Sequence, residues 1–433
     1  MKKLVLIMAG LFLLTAANAQ DKDALKAQKA AQKAAESTLK KARSIYETSI
    51  PNPQYGRKET DYTKLDGALP LIQEALQSEY TQHDALTYQT AADISYQYYV
   101  KKENEVKADP DNEKLKSEYI DISSKTLNYC LKYDSLLNLD EKLKPEEKKV
   151  RHIQYQNMAV NPAIQLLQAA QNYSNSDKQE DLKLGAKYAD QFLYAMEKSH
   201  LMSDFTNDNL AEWKTYAKAF RAQSYYNIEG TPETKVVEVY KELIPTKYKG
   251  IAYQSLANYY REKDTLKHIQ YLQEGVDALK DDAEQKDLRS NFALILMQIQ
   301  FQKGDKAGFK KTAELIKTEF GDTENAINAY LMEGQMAFED KDYDGAKAIF
   351  LAAKEKFPDE PKCLLMAARS AWMKAQVNGA KKADMDEAIN LFKQLETENP
   401  DEPELWGESL YILYNNTQQT ALAAPYKKYY KAP

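Results

Sequence analysis

Four histidines, His83, His152, His200 and His268, are the side chains best suited to hold a metal ion or relay a proton near neutral pH. None belongs to an HExxH pair or to another short spacing that would turn two imidazoles toward one zinc ion. Each is expected to be a surface or packed histidine, and neither a metal nor a cofactor is expected. Nucleophile and phosphate chemistry lacks its signatures too, because the chain has no GxSxG elbow, no Walker-type GxxxxGK loop and no GxGxxG turn. The stretch "DPDNE" (Asp109–Glu113) has the acids of a calcium loop but neither the glycine nor the terminal glutamate at the required spacing. With 65 acidic residues, runs such as "KDDAEQKD" are expected as solvated helix faces. No catalytic residue is assigned. Two cysteines, Cys130 and Cys363, sit among apolar neighbours ("LNYCLKY", "KCLLMAA") and read as buried thiols; a disulfide-stapled domain would carry more, at tighter spacing.

The 31 tyrosines are the other chemical feature, clustered in "ISYQYYV" (Ile94–Val100), "SYYN" (Ser224–Asn227), "NYYRE" (Asn258–Glu262) and "YKKYY" (Tyr426–Tyr430). Two readings stand. Tyrosine packs helix pairs while its hydroxyl stays at the rim, or it lines a ligand groove with rigid contact area at low entropy cost.

Composition narrows the function classes. The chain has 433 residues, 43% hydrophobic and 29% charged, with formal net charge −6. That length suggests two to four domains or a repeat array. Glycine and proline number 14 each, about 3% of the chain apiece against typical usage of roughly 7% and 5%. Scarce helix breakers suit long helices. A mildly acidic chain is a poor nucleic-acid binder, and none is expected as a partner. Lys2 and Lys3 precede an apolar run, Leu4 to Leu14, followed by "TAANAQ" with Ala17 and Ala19 at a small-x-small site. This reads as a signal peptide, residues 1–19, cut after Ala19. The run is shorter than the roughly 20 residues of a membrane span, and no cysteine near the cut offers a lipid anchor. The mature chain is thus expected to be exported, soluble, without a transmembrane segment, and periplasmic or secreted.

Beyond Gln20 apolar residues recur at helical steps, as in Ala27, Ala31, Ala34, Ala35, Leu39, Ala42 and Ile45. Short polar breaks separate the helices, which are expected in pairs such as 81–104 with 113–137, 146–172 with 178–197, 324–339 with 343–356, and 402–416 with 419–431. Pro162 is expected to kink or break its run. No convincing period-two strand is found.

Pairs at a near-constant period invite a search for internal repeats. Counting Ile327 as position 1 of a 34-residue unit, position 4 is Tyr330, 8 is Gly334, 17 is Tyr343, 20 is Ala346, 24 is Phe350, 27 is Ala353 and 32 is Pro358. Small residues at 8 and 20 let two helices approach closely, Phe350 fills the space beside them, and Pro358 ends the second helix. This pattern resembles the tetratricopeptide repeat (TPR), departing from it at position 11, Ala337. Neighbouring stretches carry it less completely: Tyr253, Leu256, Ala257 and Tyr260; Leu364 and Ala368, resuming after an insertion at Ala388, Phe392 and Pro400; and Trp406. Over 65–76, Ala68, Ile72 and Ala75 keep second-helix spacing. The resemblance implies an all-α fold, an α-solenoid of about nine stacked helix-turn-helix pairs in a right-handed superhelix. Divergent hairpins would cover 20–249 and clearer repeats 250–433, clearest at 327–360.

In this family certain first-helix positions line a concave face. Carried over residue by residue, they are Gln254, Asn258 and Arg261; Leu331, Gln335 and Phe338; Leu365, Arg369 and Trp372; and Tyr411 and Tyr414. Tyr253, Tyr260, Tyr330 and Trp406 fall at structural positions and are expected in the core. The groove set mixes aromatics with Arg, Asn and Gln, which suits an extended peptide held by apolar anchors and backbone hydrogen bonds. The resemblance thus implies a non-enzymatic scaffold for a protein or peptide partner. The alternatives are a glycan- or nutrient-binding component of an outer-membrane uptake system, and an enzyme with unrecognised carboxylate chemistry.

Overall fold

The computed structural model describes residues 2–321 and 323–430, with the side chains of 2–23 outside the described set. The side chains of the expected signal peptide and its cleavage site therefore lie outside the described residues. Among the described residues every element is helical, apart from an isolated antiparallel bridge between Asn52 and Arg57. The chain divides after Leu243 into two units.

The first unit contains α1 (Lys2–Ser49), α2 (Tyr62–Leu65), α3 (Leu69–Gln77), α4 (Ala85–Ala108), α5 (Glu113–Leu139), α6 (Pro145–Ser174), α7 (Gln179–Lys198), α8 (Leu210–Asn227) and α9 (Glu233–Lys241). From α3 onward each helix packs on the next. Ala68, Ile72 and Ala75 are buried as their spacing requires, although the expected continuous helix over 60–78 is divided. A short 3-10 turn, Asp66–Ala68, joins α2 to α3, where Gly67 and Pro70 both disfavour uninterrupted α-helix. Pro162 does not break its run. It lies buried inside α6, which continues past it to Ser174. One buried polar network ties three helices together: Arg43 of α1 pairs with Asp93 of α4, and Tyr155 of α6 donates its hydroxyl to Asp93 at 2.6 Å. Asp93 is 4% exposed, so the guanidinium and the phenol supply the hydrogen bonds that burial demands.

The second unit contains α10 (Lys249–Tyr260), α11 (Thr265–Ala278), α12 (Lys286–Gln302), α13 (Lys306–Glu319), α14 (Glu324–Glu339), α15 (Tyr343–Lys356), α16 (Pro361–Val377), α17 (Lys382–Glu398), α18 (Gly407–Asn416) and α19 (Thr420–Ala423). Each again packs on its successor, giving a solenoid of TPR-like helical hairpins. First helices also touch one another, α10 with α12 and α12 with α14. Ala346, Phe350 and Ala353 are fully buried. At Gly334 and Gly275 an added Cβ would lie 2.4 Å from the ring of Phe350 and 2.6 Å from that of Phe292, so helix approach at these points requires glycine. The last hairpin is shorter than expected: α18 starts at Gly407, and Pro425 turns the chain after α19 into a 3-10 segment, Ala424–Tyr429.

The hairpin turns share one chemistry. Gly304, Lys341, Gly379 and Gln418 have positive φ (69°, 64°, 75° and 60°). The following residue donates its N–H to the carbonyl five positions back: Asp305 to Gln300, Asp342 to Ala337, Ala380 to Ala375 and Gln419 to Tyr414. This Schellman closure satisfies a carbonyl left orphaned by the ending helix. At two of the turns the same residue then caps the next helix, with Asp305 accepting from Gly308 N and Asp342 from Gly345 N, both at 2.9 Å.

Candidate functional site

Four first helices of the second unit carry the candidate groove residues. On α10, Gln254, Asn258 and Arg261 follow the i, i+4, i+7 spacing that keeps side chains on one helix face, and all three are exposed. Arg261 donates to Asn258 Oδ1 at 2.7 Å, so this face presents a preformed polar pair. Behind it Tyr253 and Tyr260 are buried, as expected.

On α14, Leu331, Gln335 and Phe338 repeat that spacing but are half-buried. Leu331 and Phe338 pack against a core made by Ala346, Phe350 and Ala367, and Phe338 meets Tyr343 edge-on at 5.2 Å. Gln335 donates to Glu339 at 2.9 Å. Tyr330, expected in the core, is half-buried between Phe357 and the Lys317 ammonium.

On α16 the row splits. Leu365 is 8% exposed and belongs to the core, because it faces Leu364, Ala368 and the α17 side chains that share its cluster. Arg369 is exposed and makes no ion pair among the described residues. Trp372 is half-buried, its ring edge-on to Phe392 at 6.2 Å, and its Nε1–H is enclosed without a hydrogen-bond partner among the described residues. On α18, Tyr411 is half-buried against Tyr430, whereas Tyr414 is 8% exposed and stacks on Tyr426 within the same core. Two of the eleven residues, Leu365 and Tyr414, are therefore packing side chains. The resemblance to the repeat family placed them on the face, but the broad apolar stripe of these helices extends far enough to take them in. Trp406, by contrast, is buried as expected, its indole N–H donating to Asn399 O at 2.9 Å.

Within the tyrosine clusters Tyr99, Tyr260 and Tyr426 follow the packing reading, and Tyr133 and Tyr155 outside them are buried too. Burial pushes the phenols of Tyr99, Tyr133, Tyr155 and Tyr426 above the ordinary range, and at Tyr155 Asp93 adds to the effect. Cys130 and Cys363 are free, buried thiols.

The histidines depart from expectation in one place. His268 is packed, 4% exposed, with Nδ1 at 2.8 Å from Ala257 O. His83 is exposed. His152 and His200, however, meet on Asp134, although 48 residues of sequence separate the two imidazoles. No motif search detects such a group, since its members stand on different elements and follow no local spacing. Burial disfavours the proton on His152, but hydrogen bonds to Asp134 and Asp204 outweigh it and raise the imidazole above its ordinary range.

Among the described residues no helix is long and apolar enough to cross a membrane. No family description matches the chain, and neither does any curated protein. Among solved structures, the chain is similar to the crystal structure of yeast Tom70, at 14% identity over 89% of this chain and 91% of that one, with a TM-score of 0.26. The TPR domain of P58(IPK) is 14% identical over 88% of this chain and 99% of its own, with a TM-score of 0.24. A circular tandem repeat protein of novel repeat topology is 12% identical over 92% and 100%, with a TM-score of 0.22. At such TM-scores these likenesses carry no argument, and the fold rests on the helix packing described above.

Proposed function

We propose that the chain is a non-enzymatic scaffold, exported to the periplasm or beyond, that binds a protein or extended peptide along the first-helix face of its second unit. The observation that carries this reading is the partition of that face. Its apolar members are anchored in the core, while Gln254, Asn258, Arg261 and Arg369 remain exposed beside half-buried Phe338, Trp372 and Tyr411. Half-buried aromatics next to exposed Arg, Asn and Gln supply apolar contact area together with donors for a peptide backbone.

The test is affinity capture from the native cell envelope, comparing wild type with Arg369→Ala combined with Trp372→Ala, and with circular dichroism confirming intact helices. A partner retained by wild type and lost by the double variant supports the face; equal retention by both moves the binding surface elsewhere.

A further inference from the structure

We propose that Asp134, His152 and His200 form a binding site for a divalent transition metal, with zinc as the favoured ion. Three parts of the first unit supply it: α5 carries Asp134, α6 carries His152, and the segment between α7 and α8 carries His200 and Asp204. His152 Nδ1 lies 2.7 Å from Asp134 Oδ1, and His200 Nδ1 lies 2.8 Å from Asp134 Oδ2. One potential ligand atom from each of these three residues lies within 4.8 Å of the other two. His152 Nε2 lies 3.1 Å from Asp204 Oδ1.

Burial makes the site more than a surface cluster. The Asp134 side chain is 1% exposed, and no lysine or arginine pairs with it among the described residues. A carboxylate so enclosed needs a cationic partner. The two imidazoles stand 5.1 Å apart, so charging both would set like charges side by side. One divalent cation neutralises the carboxylate and uses the imidazole lone pairs. His152 is 12% exposed and His200 57%, a gradient that leaves a route from solvent to the carboxylate.

The donor set selects the ion. Two imidazoles and a carboxylate suit zinc and its late first-row neighbours, whereas calcium and magnesium favour all-oxygen shells. Supporting groups are also in place. Gln156 donates to Asp204 Oδ1 at 2.6 Å and to Leu201 O at 2.8 Å, holding the carboxylate that faces His152 Nε2. Such outer contacts orient ligands and strengthen binding. An ion held here would pin the α7–α8 segment to the α5–α6 pair, a structural clamp rather than a catalytic centre.

The test uses the full chain freed of metal with a chelator, then titrated with zinc chloride by calorimetry and, separately, with cobalt chloride by visible absorption. Wild type is expected to bind one zinc ion, to melt at a higher temperature with zinc, to lose that shift on adding chelator, and to give the cobalt bands of a four-coordinate nitrogen–oxygen site. His200→Gln, at an exposed position where folding is undisturbed, is expected to weaken zinc binding at least tenfold, as is His152→Gln, whereas His83→Gln leaves it unchanged. The proposal is overturned if wild type takes up no zinc, the network then being held by a protonated His152 alone. It is equally overturned if zinc binds with the same affinity to His152→Gln and His200→Gln.

Discussion

The Phe350 ring occupies the place where a Cβ on Gly334 would stand, 2.4 Å from the nearest ring carbon. Phe350 is fully buried in α15 and cannot swing away, so α14 and α15 approach this closely only because position 334 carries no side chain. Gly334→Ala places two effects in opposition. Alanine raises helix propensity by about 1 kcal/mol, while overpacking a filled core costs about 1–3 kcal/mol. Net destabilisation is expected, seen as a lower urea midpoint, and Phe350→Ala should cost more, about 3–5 kcal/mol. A Gly334→Ala variant as stable as wild type would contradict the close approach.

The turn at Lys341 allows a gain. Its φ of 64° is a conformation that costs an L-residue roughly 1–2 kcal/mol, and Gly304 and Gly379 fill the same role in other turns. Lys341→Gly is expected to stabilise the second unit by about 0.5–1 kcal/mol, the relief being partly offset by the greater freedom of glycine in the unfolded chain. Asp342→Ala removes the cap on Gly345 N and should cost about 1 kcal/mol. Thermal melts of both variants check the two signs.

These residues also show how much the sequence reveals. The bounds of the pair 324–339 and 343–356 are readable, because Gly334, Ala346, Phe350 and Ala353 report close packing by size alone, although Tyr330 is only half-buried where a core side chain is expected. The break expected as one option at Pro162 does not occur, because tertiary packing around a buried proline keeps the helix going past it. Burial on the candidate face is only partly readable, since Leu365 and Arg369 share a spacing but differ in what surrounds them. The Asp134 cluster leaves no trace in the sequence, because three separate elements must fold together before it exists.

His268 links stability to pH. Burial lowers its pKa below 6.5, with the nearby Arg261 charge acting in the same sense. The folded chain therefore holds this imidazole neutral where the unfolded chain takes up a proton. The contribution is complete above about 6.5 and is lost as pH falls through the depressed folded-state value. Melting temperature should thus drop between pH 7 and 5 more steeply for wild type than for His268→Gln. Parallel slopes would remove His268 from the account.

Arg369 and Trp372 lie three residues apart on α16, yet they should respond differently to alanine. Arg369 is exposed without an ion pair among the described residues, so Arg369→Ala should leave stability within about 0.5 kcal/mol. Trp372 fills space against Phe392, so Trp372→Ala should destabilise by about 2–4 kcal/mol. Trp372→Phe retains most of the packing and removes the buried Nε1–H that lacks a partner. That variant should be nearly neutral or slightly stabilising in the free protein, since an unsatisfied buried donor costs about 1–3 kcal/mol. Because that N–H is enclosed, a peptide on this face meets the ring rather than the donor, so Trp372→Phe should retain capture where Trp372→Ala weakens it. Capture lost by Trp372→Ala and kept by Trp372→Phe would assign the aromatic surface to binding, whereas capture unchanged in both would leave Trp372 a packing residue and Arg369 the α16 contributor.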